Sequence, residues 1–318
     1  MTLSETVARW QYQAQKILHP LSAIALEITT RCNLACRHCC IRRLRPDVEL
    51  PYAAIEDMLA TLPHHGWRKP FISVTGGEPF CHSRFGDIIE LLERSGCAYS
   101  LCSNGTGIDA GWVERLSSCR RLRALGISID GDAGTHEWLR GVQTYGPAVR
   151  ALTQLAERSG KRLTVKTVLH RENLDTMDSV WQLVRRLRIS IWHVLPLMAG
   201  NEAVLQSLAL SAQQQGSIRA RLISYATAGG TQVLFGELGD VRRQRQRVRC
   251  RQGITACTVT ATGEVMACPH APPVAQISAG VLTAGGLAAA WKSGFSACRQ
   301  PDWQACAHHE RELLMENA

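Results

Sequence analysis

Six short β-type runs, each followed by a helical pattern, fill the first two thirds of the chain, and this alternation constrains the fold more than any other feature. The runs are 22–30 (SAIALEITT), 71–76 (FISVTG), 99–104 (YSLCSN), 122–131 (LRALGISIDG), 162–170 (RLTVKTVLH) and 191–198 (IWHVLPLM), read from length and β-branched content. Between them lie the helical segments PYAAIEDMLATLPHHG, SRFGDIIELLERSG, GWVERLSSC, VRALTQLAERSG and MDSVWQLVRRLR. Six β–α steps in succession call for parallel strands with helices outside, closed as a barrel or open as a doubly wound sheet. In such folds the chemistry sits at the C-terminal ends of the strands. The unusual residues fall there: CNLACRHCC (32–40) follows the first run, GGEPF (76–80) the second, SNG (103–105) the third and DGDAGTHEWLRG (130–141) the fourth.

Past residue 201 the pattern changes to a helical stretch and then a cysteine-bearing hairpin, TACTVTATGEVMACPHAP (255–272), turning at Thr262-Gly263. This predicts an N-terminal helix over 1–20, a core domain over 21–215 and a small module over 216–318. The N-terminal segment has neither an apolar core nor a cleavage site for export, and no run of about 20 apolar residues occurs, so the chain is placed in the cytosol with no membrane span.

In that reducing compartment, 13 cysteines, an odd number with several clustered, point to metal or redox chemistry rather than a disulfide framework. The net charge of +9 is spread over helix faces, with basic patches at 42–46 and 242–251. The second patch lacks the aromatic residues that stack bases, so no nucleic-acid partner is expected, although an acidic peptide or an anionic metabolite suits a basic surface.

Cys32, Cys36 and Cys39 form C-x3-C-x2-C. Three thiolates in one loop can face a common point, but a closed zinc or four-cysteine site needs a fourth ligand. A [4Fe-4S] cluster held by three cysteines leaves one iron open to an amine and a carboxylate. A zinc knuckle completed by His38 or Cys40 is the alternative. Asn33 is expected to bond backbone within its own loop.

With its surroundings, this motif resembles the radical S-adenosylmethionine (SAM) superfamily. The resemblance implies a partial (β/α)6 TIM-type barrel, a catalytic cluster on Cys32, Cys36 and Cys39, and one-electron cleavage of SAM to a 5′-deoxyadenosyl radical that abstracts a substrate hydrogen. It also implies an electron donor such as flavodoxin or ferredoxin. In that family Gly76, Gly77 and Glu78 of GGEP hold the SAM ammonium, which suits glycines that admit close backbone approach and a carboxylate that pairs with a cation. The segment SIDGDAGTHEWLRG resembles the strand-four signature of the peptide-modifying branch, implying Ser128 on the ribose and Arg140 on the SAM carboxylate. Capping of the following helix is the plainer role for Ser128.

Cys250, Gly263 and Cys268 fit C-x12-G-x4-C, which resembles the opening of the SPASM and twitch modules that hold auxiliary clusters. The later cysteine run of a full SPASM module is absent, so one auxiliary [4Fe-4S] cluster is the ceiling. Its ligands by resemblance are Cys250, Cys268 and Cys306, with Cys257, Cys298 or His309 fourth, and a structural zinc is the alternative. Cys40, Cys81, Cys97, Cys102 and Cys119 read as buried small hydrophobes, with Cys81 and Cys102 placed to donate a hydrogen atom. His136 and His193 read as hydrogen-bonded structural histidines.

Together these features predict an enzyme that modifies a ribosomally made peptide by cross-linking, epimerisation or oxidation. Only about 20 residues precede the core, so leader-peptide binding then needs a separate protein or another surface. The alternatives are a dehydrogenase or epimerase of an aminocyclitol or sugar, and a non-catalytic iron–sulfur or zinc-binding regulator, for which GGEP has no use.

Overall fold

The apolar residues of the predicted helices recur at the spacing that makes one sticky face. In the computed structural model α2 (Phe85–Ser95) buries Phe85, Ile88, Ile89 and Leu92, α5 (Tyr145–Arg158) buries Ala148, Ala151, Leu152 and Leu155, and α6 (Met177–Arg186) buries Met177, Val180, Trp181 and Val184. All three follow i, i+3, i+4, i+7, and each larger side chain so buried contributes about 1.5–3 kcal/mol. The structure describes residues 21–39, 46–64, 69–197, 203–236, 241, 255–267, 278–282 and 286–293. The chain divides into two units, residues 1–31 with 45–100 and 249–318, and residues 32–44 with 101–248.

In the first unit β1 (Ala23–Thr29) pairs in parallel with β2 (Phe71–Gly76), with Ala23 opposite Phe71 and Leu26 opposite Val74. The crossover is α1 (Tyr52–His64). On its other side β1 pairs in parallel with β8 (Ala256–Val259), followed by antiparallel β9 (Glu264–Met266) and β10 (Ser278–Val281). Ile24, Leu26 and Ile28, which share one face of β1, are fully buried. The expected hairpin is present, and Gly263 takes φ +81° at its turn. Helix α9 (Gly286–Ser293) lies against α1: a Cβ at Gly286 would come within 2.6 Å of Thr61 Oγ1.

Strand β3 (Tyr99–Ser103) leads into the second unit, where β4 (Leu122–Ser128), β5 (Arg162–Leu169), β6 (Ile191–Pro196) and β7 (Gln232–Phe235) pair successively in parallel. Helix α3 (Ala110–Ser118) follows β3, and α7 (Ala203–Leu208) and α8 (Ala212–Thr227) connect β6 to β7. The six β–α steps fall where the alternation places them, and the architecture is α/β with mostly parallel strands.

Two features differ from the sequence reading. A further parallel strand, β7, lies inside the stretch read as helical, because four residues are too few to show a period. The loop expected after the fourth strand folds instead into α4 (Ala133–Arg140), started by Asp132, whose side chain accepts from Thr135 N. Asp132 therefore caps this helix, and Ser128 does not. Among the described residues, no helix is long and apolar enough to cross a membrane.

Candidate functional site

The cysteine loop of the second unit is mounted on the end of α4. The last four carbonyls of a helix have no intrahelical donor. Gly141 N donates to Glu137 O at 2.8 Å, and the loop supplies the other three donors: Arg37 Nε to Trp138 O at 2.9 Å, Arg37 N to Leu139 O at 2.8 Å and Cys36 Sγ to Arg140 O at 4.0 Å. A second tie is made by Asn33, which donates to Thr106 Oγ1 at 2.8 Å and accepts from Asn104 Nδ2 at 2.9 Å. The expectation of a purely local Asn33 is therefore corrected: its amide reaches the SNG loop after β3, where complementary amide and hydroxyl groups meet it.

Cys32, Cys36 and Cys39 are half-buried and take part in no disulfide. Burial pushes the Cys36 thiol up, and the nearby Arg140 guanidinium opposes the shift. Among the described residues no three His, Cys, Asp or Glu side chains gather around a single-ion site.

Arg140, 9% exposed, donates from Nε to Asp130 Oδ2, and Asp130 is fully buried. Burial works to raise the Asp130 carboxyl, but Arg140, with His38 and His136, overcomes it and leaves the group below the usual carboxylate range. Asp130 Oδ1 accepts from Val168 N at 2.7 Å. Asn173 Nδ2 donates to both Asp130 O and Val168 O at 2.8 Å, and its Oδ1 accepts from His170 N at 2.9 Å. Asp130 N in turn donates to His136 Nδ1 at 3.2 Å. His136 is thus a hydrogen-bonded structural group, as is His193, whose Nε2 lies 3.0 Å from Gly236 O. Asp130 escaped the sequence reading, although a carboxylate ten residues before a buried arginine on a strand-to-helix turn was a signal.

Two buried ring nitrogens in this region have no partner among the described residues, His38 Nδ1 and His170 Nε2. His170 Nδ1 accepts from Glu172 N at 3.2 Å, which puts the ring proton on Nε2. Burial drives the pKa of His38 and of His136 down to about 4, and that of His170 down as well, so all three rings are neutral at pH 7. A buried unsatisfied polar atom costs about 1–3 kcal/mol. Orphaned polar atoms beside a buried arginine, with three cysteine thiols on the adjoining loop, fit a polar ligand together with a thiolate-held metal group.

Ser128 is buried at the end of β4 and stands in register with Lys166 of β5, itself in register with His193 of β6. Register partners in a parallel sheet share a face, so these three lie in one row. The Lys166 stem covers Gly126, where a Cβ would come within 3.2 Å of Lys166 Cε, and the sequence reading passed over this lysine.

In the first unit the GGEP turn packs against the segment that leads into the cysteine loop. Gly77 N donates to Thr29 O at 2.7 Å and Glu78 N to Arg31 O at 2.8 Å. A Cβ at Gly76 would lie 2.2 Å from Thr29 O, and one at Gly77 2.3 Å from Arg31 O and 2.5 Å from Thr30 O. The glycines thus meet a demand the sequence did not disclose, close approach to this chain's own backbone. Glu78 is 1% exposed and its Oε1 accepts from Phe80 N at 3.4 Å.

Cys257 is buried on β8, Cys97 and Cys119 are buried, and Cys81 and Cys102 are half-buried. Cys40, Cys250, Cys268, Cys298, Cys306 and His309 lie outside the described residues.

The family model of the Radical SAM superfamily matches residues 26–184. The mycofactocin maturase MftC of Mycolicibacterium smegmatis is 26% identical over 321 residues, covering 96% of this chain and 80% of that protein. The AdoMet-dependent heme synthase of Nitratidesulfovibrio vulgaris is 30% identical over 200 residues, 60% of this chain and 52% of that protein. Among solved structures, Streptococcus suis SuiB bound to S-adenosylmethionine superposes with a TM-score of 0.68 at 16% identity, covering 85% of this chain and 66% of that one. SuiB bound to its precursor peptide SuiA gives 0.66 at 15% identity, covering 83% and 63%. At such identities these structures establish likeness of fold.

Proposed function

The chain belongs to the radical SAM superfamily, and on that premise we propose that it cleaves SAM by one-electron reduction and abstracts a hydrogen atom from a ribosomally made peptide. The peptide substrate rests on one observation, similarity to the maturase MftC over 96% of the chain. The fold it shares with SuiB, which has been crystallised with a precursor peptide, agrees.

In this reading Cys32, Cys36 and Cys39 would hold a [4Fe-4S] cluster, and Gly76, Gly77 and Glu78 the SAM ammonium, with Ser128 on the ribose. The bound pair would supply a 5′-deoxyadenosyl radical. Arg140 receives the SAM carboxylate. Asp130 occupies only its Nε, which leaves the Nη donors for a second carboxylate while keeping the guanidinium charged and fixed. The buried neutral histidines exclude water from the arginine without adding charge. Residues 216–318 form the auxiliary module, with Cys250, Cys268 and Cys306 holding one further cluster. The enzyme works in the cytoplasm with a flavodoxin or ferredoxin as reductant, and the product is a cross-linked, epimerised or oxidised residue.

Iron and sulfide content with Mössbauer spectra tests this reading, on anaerobically reconstituted protein beside the Cys32/Cys36/Cys39 triple alanine variant. About eight irons in the parent and about four in the variant are expected. About four and none, with zinc bound, would make the C-terminal cysteines a zinc site and favour a redox-neutral epimerisation. Equal iron in both would remove the cluster assignment.

A second reading, a small-molecule substrate, draws on the 30% identity to a heme synthase over 60% of the chain. A short peptide gene beside this one, whose product changes mass on incubation with enzyme and SAM, decides for the first reading.

A further inference from the structure

The strands of the second unit carry different chemistry on their two faces. Trp192 of β6 packs against Trp181 of α6 and Tyr225 of α8, with ring centroids 5.9 and 5.7 Å apart, so its face is the one the helices cover. Val165 of β5 is in register with Trp192 and is fully buried. Lys166 and His193, one residue further along their strands, therefore occupy the opposite face, in one row with Ser128. Lys166 is half-buried there.

Gly126 is fitted to this lysine. Glycine inside a strand weakens it, and Gly126 is not among the glycines of positive φ, so its backbone does not call for the missing side chain. Its bare face carries the Lys166 stem instead: a Cβ would come within 3.2 Å of Lys166 Cε and 3.6 Å of Cδ. Among the described residues the Lys166 ammonium makes no hydrogen bond or ion pair. The same face of β4, β5, β6 and β7 holds no aspartate or glutamate. Asp130, two residues beyond Ser128, is committed to Arg140 and to Val168 N.

A lysine drawn partly out of water calls for an anion. We propose that Lys166 is a specificity-determining residue that receives a carboxylate of the peptide substrate, from an acidic side chain or a free C-terminus. The proposal rests on the radical SAM reading given above, in which Ser128 meets the ribose and Arg140 the SAM carboxylate. The ammonium in register with Ser128 then remains for the substrate.

The test uses reconstituted holoenzyme with SAM and three probes: acetyl-Gly-Glu-Gly-amide, acetyl-Gly-Gln-Gly-amide and acetyl-Gly-Gln-Gly with a free C-terminus. Saturation-transfer NMR titrations give their affinities. An acidic probe should bind the parent about tenfold more tightly than the neutral one, and whichever does so identifies the source of the carboxylate. Lys166→Met keeps the stem on Gly126 and should remove this preference, whereas Lys166→Arg, which keeps the charge, should retain it. Arg123→Gln removes a charge from an exposed position on the other face of β4 and should leave the preference as in the parent. Equal affinities of the three probes for the parent overturn the proposal. So does a preference that survives in Lys166→Met, or one that falls equally in Arg123→Gln, which would make it general attraction to a basic protein. Weaker calorimetric binding of SAM by Lys166→Met would assign the ammonium to SAM and overturn it as well. A parent that takes up no iron and binds no SAM defeats the radical SAM reading instead, and the same titrations still decide the lysine.

Discussion

The Arg140 guanidinium and the Asp130 carboxylate form a buried ion pair that joins the end of α4 to the turn after β4. Removing one partner of such a pair strands the other charge, at about 3–5 kcal/mol. Asp130→Asn should lose about that much stability in urea denaturation. It should also weaken SAM binding by calorimetry, because Arg140 is no longer held.

Gly77→Ala should also destabilise, for a steric reason. The added methyl meets the carbonyls of Thr30 and Arg31, which cannot rotate away, and overpacking of this kind costs about 1–3 kcal/mol. Gly134→Ala in α4 is the control: nothing lies nearer than 3.8 Å, and helix propensity predicts a gain of about 0.5–1 kcal/mol. Thermal unfolding of the pair, with SAM affinity, checks both.

Thr167 Oγ1 donates to Ile129 O at 2.6 Å and accepts from Trp192 Nε1 at 2.9 Å, and all three residues are buried. Thr167→Val keeps the volume and removes both bonds, at about 1–3 kcal/mol for the orphaned indole N–H and carbonyl. Ile129 precedes Asp130, so the same variant should bind SAM less tightly.

A pH dependence follows from the contact between α6 and α8. Tyr225 Oη donates to Asp178 Oδ1, and Arg221 Nη2 donates to Asp178 Oδ2 at 2.6 Å. The tyrosine hydrogen bond, aided by Arg221, lowers the Asp178 pKa, so its stabilisation is present above the unfolded value near 4 and is lost as pH falls through the folded one. Burial and the Asp178 hydrogen bond push Tyr225 up to about 12, so its share is complete below about pH 10 and is lost as pH rises through 12. Denaturation midpoints in Tyr225→Phe should show shallower losses at both extremes than the parent. Parallel profiles would remove these two groups as the cause.

The parallel strands were legible because each run is five to eight residues long and most carry β-branched residues, and the helices because their apolar residues repeat at i, i+3, i+4, i+7. The cysteine spacing and GGEP pointed to the superfamily whose family model matches residues 26–184. Other features depend on what the chain folds against. β7 has four residues and shows no period of its own. Asp130 is marked only by its pairing with Arg140, and Asn33 only by partners at 104 and 106. The bare faces of Gly76 and Gly77 answer to carbonyls 46 or 47 residues earlier in the chain. A glycine in sequence says that space is short there, and only the fold says what occupies it.

Because the cysteine loop grips α4 by main-chain carbonyls, the joint is blind to side chains and sensitive to length. Substitutions at Trp138 or Leu139 leave the oxygens where they are, so sequence there can drift without releasing the loop. Deleting one residue from α4 would turn its last carbonyls by about 100° and draw them back about 1.5 Å. Two of the three grips pass through Arg37 and the third through Cys36. Apart from His136 and Arg140, whose side chains bond to Asp130, the segment between Asp132 and Gly141 should therefore tolerate exchanges over evolutionary time and almost no insertions or deletions.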